Sequence, residues 1–147
     1  MSDSTPAADS SALAARELRV LVSRLRRRFL EAAGDDELTP SQLSVLGRLH
    51  RGATTASDIA AAEHVRPQAA AAWLAGLDER GLIERHPDPD DRRRQLVSLS
   101  EDGRALFEGR TKAKDEWLST ALRERYTEAE RQTVLDALAL LDRLGQA

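Results

Sequence analysis

The chain has 147 residues, 41% of them hydrophobic, 32% charged and 3% aromatic, with a formal net charge of −3 and no cysteine. That length can bury one aliphatic core of Leu, Val and Ala, and the composition fits a folded, mostly helical protein instead of a disordered one. The missing cysteine excludes disulfides, thiol redox sensing and cysteine-based zinc sites.

The opening MSDSTPAADSS lacks the basic and apolar regions of a signal peptide. No stretch approaches the roughly 18–20 apolar residues of a membrane span, so a cytoplasmic protein without membrane contact is expected. Charge is placed locally. Residues 1–31 hold six Arg against four acids, and 32–65 hold two against five. Residues 66–94 balance at six against six, and 95–147 hold eight basic against ten acidic. Any nucleic-acid contact must therefore come from a few positioned arginines.

Residues 1–10 read as a flexible tail. A first helix is predicted over 11–33, with Leu18, Leu21, Val22, Leu25 and Phe29 on one stripe and Gly34 placed as a left-handed C-cap. Arg24, Arg26, Arg27 and Arg28 cluster toward its end. They fit either cations at the negative end of the helix dipole or a contact with DNA phosphate or a ligand carboxylate.

Thr39-Pro40-Ser41-Gln42 starts a second helix, because Thr39 and Gln42 form a capping box and Pro is tolerated at the first helical position. Leu43, Leu46 and Leu49 are its predicted buried face, and Gly52 ends it. Thr55 opens a short third helix with Ile59, Ala60 and Val65 as apolar positions. After a brief turn, Arg66-Pro67 starts a fourth helix that stops at Gly81, with Trp73, Leu74 and Leu77 as core candidates. Two helices across a tight turn are a helix-turn-helix.

Residues 82–103, LIERHPDPDDRRRQLVSLSEDG, follow at once. The apolar runs Leu82-Ile83 and Leu96-Val97-Ser98-Leu99 predict a hairpin. Two prolines and three aspartates make its tip a turn, and that tip exposes Arg92, Arg93 and Arg94. Ser100 caps a fifth helix over about 101–124. Thr127 to Glu130 form a second capping box, opening a sixth helix over about 128–144. The sixth helix carries Val134, Leu135, Leu138, Leu140, Leu141 and Leu144. Its apolar arc fits burial against a partner subunit or, equally, an intramolecular core.

A helix-turn-helix followed by a basic hairpin is a winged helix-turn-helix. Its second helix suits the major groove, and an arginine on a thin hairpin suits the minor groove. Three arginines in a row also fit a merely solvated turn. The fold expected is mainly α with a small β-hairpin wing.

Over about residues 11–145 this pattern resembles the MarR family of bacterial transcriptional regulators. The specific elements are Asp91-x-Arg93-x-x-x-Val97-x-Leu99-Ser100-x-x-Gly103, Thr39-x-x-Gln42-x-x-x-Leu46 and Leu77-x-x-x-Gly81-Leu82-Ile83. The resemblance implies a helical dimerisation region of residues 11–34 and 101–147, joined through Leu13, Leu135, Leu138 and Leu141. A winged helix-turn-helix lobe of residues 35–100 would bind DNA through Thr55, Arg66, Gln68, Ala69, Ala71, Ala72, Arg92, Arg93 and Arg94, with Asp91 orienting Arg93. It further implies a nucleoid-associated homodimer on a pseudo-palindromic double-stranded operator, usually a repressor, released by a small aromatic or anionic ligand.

One departure stands out. The fourth helix reads Pro67-Gln68-Ala69-Ala70-Ala71-Ala72-Trp73, where relatives commonly place Ser, Thr and Arg. Alanine offers no hydrogen bond to a base edge, so affinity is expected mainly from phosphate and wing contacts. The competing reading is a degenerate winged helix used for protein contact. His50, His64 and His86 stand apart from any metal-ligand spacing. No phosphate loop, nucleophile elbow or acid–base pair suggests an enzyme, and no cofactor or metal is expected.

Overall fold

The computed structural model describes residues 9–34 and 37–146. Residues 1–8 of the predicted tail, and residues 35 and 36 at the predicted lobe boundary, lie outside the described residues. The helices are α1 (Ser11–Ala33), α2 (Pro40–Arg51), α3 (Ala56–Ala62), α4 (Pro67–Glu79), α5 (Glu101–Arg125) and α6 (Glu128–Asp142), followed by a 3-10 turn at Arg143–Gly145. The strands are β1 (Thr54–Thr55), β2 (Ile83–Pro87) and β3 (Gln95–Leu99).

Local chemistry sets the helix starts. Thr39 Oγ1 accepts the Gln42 N–H at 3.1 Å while Gln42 Oε1 accepts the Thr39 N–H at 3.1 Å. Thr127 and Glu130 repeat this reciprocal box at 3.2 and 2.9 Å, so each satisfies two otherwise orphaned donors. Ser100 Oγ accepts the Gly103 N–H at 3.0 Å to open α5.

The sheet has the order β1-β3-β2 and is antiparallel throughout. The predicted hairpin pairs Ile83 with Leu99 through to Pro87 with Gln95. It gains a third strand that sequence reasoning missed, since Thr54 and Thr55 pair with Val97 and Leu96. Two residues are too few to show an alternating pattern.

Val45, Leu46, Leu49, Ile59, Ala60, Ala70, Leu74, Leu77, Leu82, Ile83, Val97 and Leu99 form one buried cluster. All of it lies between α2 and β3. Val45 was not predicted, and Leu43, which was, packs only at the edge. The wing is fastened to α5 by a close approach at Gly103. A Cβ there would stand 2.0 Å from the Leu82 carbonyl oxygen, which accounts for glycine at this position.

The outer helices differ. Neither α1 nor α6 has a buried residue. Phe29 meets Trp117 of α5 edge-on at 5.9 Å, but Leu21 and Val22 of the predicted stripe remain about half exposed. α6 is tied back to α5 through Arg131, whose Nη1 donates to the carbonyls of Leu122, at 3.1 Å, and Tyr126. The dipole reading of the α1 arginines is corrected here. The last turn of α1 contains no basic residue, and the dipole's influence fades within that turn. Arg28 instead pairs with Glu31 at 3.3 Å.

Candidate nucleic-acid interface

The helix-turn-helix is α3, a short turn and α4. His64 takes the positive φ of 55° in that turn, and the Val65 N–H closes onto the Ala60 carbonyl at 3.0 Å. Glu63 ties α3 to α2, accepting from Arg48 Nε at 2.7 Å and from Ser44 Oγ at 2.7 Å. The Arg48 and then the Ser44 hydrogen bond hold its carboxyl below the usual range. These contacts fix where α4 begins.

Ala70, Leu74 and Leu77 seat α4 in the core, which sets its rotation. The face left outward carries Gln68, Ala71, Ala72 and Ala75, with Arg66 at the N-cap also exposed and Ala69 half-buried on the shoulder. Of the residues predicted to meet DNA, Arg66, Gln68, Ala71 and Ala72 therefore share one surface. Thr55 does not, and is corrected. It is 7% exposed, and its Oγ1 accepts the Asp58 N–H at 3.1 Å as the N-cap of α3. Its hydroxyl is committed to that helix end.

The aspartates of the wing tip build its turn. Asp88 Oδ1 accepts the Asp90 N–H at 2.9 Å, and Asp91 Oδ1 accepts the Arg93 N–H at 3.1 Å. The Asp88 N–H donates to the Arg94 carbonyl and the Arg94 N–H to the Asp91 carbonyl, each at 2.9 Å. Asp91 thus acts on the backbone of Arg93 instead of its guanidinium. The acid that pairs with a tip arginine is Asp58 of α3, with Oδ2 3.4 Å from Arg94 Nη2 and 3.3 Å from Thr54 Oγ1. Sequence reasoning missed this anchor, because a contact spanning 36 positions leaves no local spacing signal. Among the described residues, the side chains of Arg92 and Arg93 stay unpaired and exposed.

Leu13, Leu135, Leu138 and Leu141, predicted at a dimer interface, lie on the outer helices at 53%, 56%, 54% and 39% exposure. Two of the concavities along the long helix α5 also touch α2. An open groove of about 910 Å³ runs along α5 from His50 and Phe107 to Arg123. At its head His50 Nε2 lies 3.2 Å from Glu108 Oε1. A smaller, more enclosed cleft of about 280 Å³ lies where α1, α2 and α5 converge. Phe29, Leu43 and Phe107 supply its apolar wall, and Arg26, Arg110 and Lys114 supply positive charge. Arg110 is almost buried there and donates to the Gly34 carbonyl at 3.4 Å.

Among the described residues no helix is long and apolar enough to cross a membrane, and no three His, Cys, Asp or Glu gather as a metal site.

Comparison with known proteins agrees with this geometry. Residues 38–94 match the sequence model of the MarR family. The chain is 37% identical over 115 residues to the uncharacterized HTH-type transcriptional regulator Mb0904 of Mycobacterium bovis, covering 78% of this chain and 80% of that one. It is 33% identical over 92 residues to the HTH-type transcriptional repressor MdtR of Bacillus subtilis, covering 62% and 59%. A crystal structure from Pseudomonas aeruginosa superposes with a TM-score of 0.83 at 39% identity, over 95% of this chain and 99% of that one.

Proposed function

The chain belongs to the MarR family of DNA-binding transcriptional regulators and is not an enzyme; on that premise we propose a homodimeric repressor that binds a pseudo-palindromic operator and releases it when a small ligand enters. The observation that carries the dimer is the unburied apolar surface of the outer helices. Leu13, Leu21 and Val22 of α1 face solvent, as do Leu135, Leu138 and Leu144 of α6, and exposed apolar faces on two helices mark a surface for a partner. The two helices are also complementary in charge. α1 carries six arginines against two glutamates, and α6 four acids against one arginine.

In such a dimer each lobe presents one α4 and one wing, so the half-sites lie about one helical turn, or a multiple of it, apart. Arg92 and Arg93 supply wing contacts, and Arg66 and Gln68 supply the polar contacts of α4. Arg94 is shared with Asp58, which ties the wing tip to α3. Thr55 leaves the DNA set as a cap, and Asp91 remains the residue that shapes the tip.

For the ligand, the cleft between α1, α2 and α5 is the better of the two concavities. It is more enclosed, it adjoins both the lobe and the outer helices, and its aromatic wall and the charges of Arg26 and Lys114 suit an aromatic acid. The repressor reading draws on the relative MdtR, which is named as one.

The test is a gel-shift with DNA from the chain's own promoter region at two salt concentrations, run beside light scattering. Expected are a particle of twice the 16.2 kDa chain mass and an affinity that falls steeply as salt rises. Phenolic acids should raise the melting temperature and loosen the complex. A monomer that retains operator affinity would refute the dimer.

A further inference from the structure

The outward face of α4 departs from what a major-groove helix usually offers. Gln68, Ala71, Ala72 and Ala75 are spaced i, i+3, i+4 and i+7 on one exposed face, with Asp78 and Glu79, both exposed, at its C-terminal end. The face cannot be exchanged for another by rotation, because Ala70, Leu74 and Leu77 on the opposite side are locked in the core. Nor do the alanines by themselves mark a site. The place of α4 in the winged helix of a DNA-binding family makes it the reading element, and the alanines then restrict what it can read.

An alanine methyl has neither donor nor acceptor. Of the features that base pairs display in the major groove, the one it recognises favourably is the C5-methyl of thymine. At 1.5 Å rise per residue, Gln68 to Ala75 spans roughly 10 Å, or about three base pairs. Resting on the DNA-binding reading above, we propose that Ala71, Ala72 and Ala75 are the specificity-determining residues of α4 and read thymine C5-methyl groups. The few hydrogen bonds to base edges come from Gln68 and Arg66.

A consequence separates this from hydrogen-bond readout. Thymine and 5-methylcytosine carry the same methyl at the same place in the groove, and differ there in an acceptor against an amino donor. Alanine is blind to that difference. The protein therefore accepts 5-methylcytosine at positions where it rejects cytosine, whereas a donor or acceptor side chain would reject both.

The experiment starts from a half-site selected out of random duplexes by the full-length protein. Each thymine is then replaced singly by deoxyuridine, which removes only the methyl. Expected is an affinity loss of about fourfold at two or three adjacent positions, the worth of one buried methyl-sized group. Replacing those T·A pairs by C·G should cost about the same fourfold, and 5-methylation of that cytosine should recover it. In Ala72→Ser the thymine-to-deoxyuridine ratio at one of these positions should fall toward one, with the melting temperature reporting that the variant is folded. If sequence preference persists while every deoxyuridine duplex binds within twofold of the parent, methyl reading is overturned and the regulator reading stands. If the protein retains no duplex even at low salt, both fall.

Discussion

The winged helix-turn-helix lobe and the outer helices are built on opposite plans. Between α2 and β3 the chain closes a core around Leu46, Ile59, Leu74 and Leu77, all fully buried. α1 and α6 contain no buried residue, although they hold many of the chain's leucines. The lobe is finished by its own side chains. The outer helices leave their apolar faces open, and in the proposed dimer a second copy covers them. Stability should then divide in two: a part fixed by the lobe and a part that depends on concentration.

Four measurements would break or sharpen that division. Leu74→Ala removes a fully buried side chain and should cost about 3–4 kcal/mol in denaturant unfolding. A loss below about 1 kcal/mol would show that the lobe core is not the seat of stability. Leu138→Asp puts a charge on the outer helix. It should raise the dimer dissociation constant about 100-fold, roughly 2.7 kcal/mol, and leave a melting temperature independent of concentration. Unchanged dimer mass by light scattering would remove α6 from the interface.

Arg93→Ala should weaken operator binding about tenfold, near 1.4 kcal/mol, and lower the log–log salt slope by about one. Its melting curve should match that of the parent, because its exposed guanidinium makes no ion pair with the described residues. Equal affinity for the operator would exclude the tip as a contact. The smallest effect belongs to Glu63→Gln, about 1 kcal/mol at neutral pH for a partly exposed pair. The folded-state carboxyl lies below its ordinary value of 4.5, so its contribution is present above that value and is lost as pH falls through the lowered one. The difference between parent and variant should therefore vanish in acid; a constant gap across pH would assign the loss to packing.

What the sequence made legible follows from how far each signal reaches. Thr39 with Gln42, and Thr127 with Glu130, are three residues apart and close onto each other as expected. Pro67 and Gly81 bracket α4 for reasons that reside in single residues. Contacts between elements were not visible. Asp58 reaches Arg94 across 36 positions, and the two-residue strand β1 exists only because β3 passes beside it. Thr55 shows the same gap from the other side. Its identity suits a phosphate contact as well as a cap, and only its burial decides. The helix end at Ala33 was legible, but the Arg24–Arg28 cluster stops ahead of the last turn, which holds no basic residue.

The contact at Gly103 has a mechanical consequence. Because the Leu82 carbonyl rests directly on the first turn of α5, the wing root and this helix move as one piece. α5 is 25 residues long, a rod of roughly 37 Å. A tilt of about 5° pivoted at one end sweeps the other through roughly 3 Å, close to the rise of one base pair, about 3.4 Å. A few degrees at the far end of that rod suffice to put a wing out of step with its half-site.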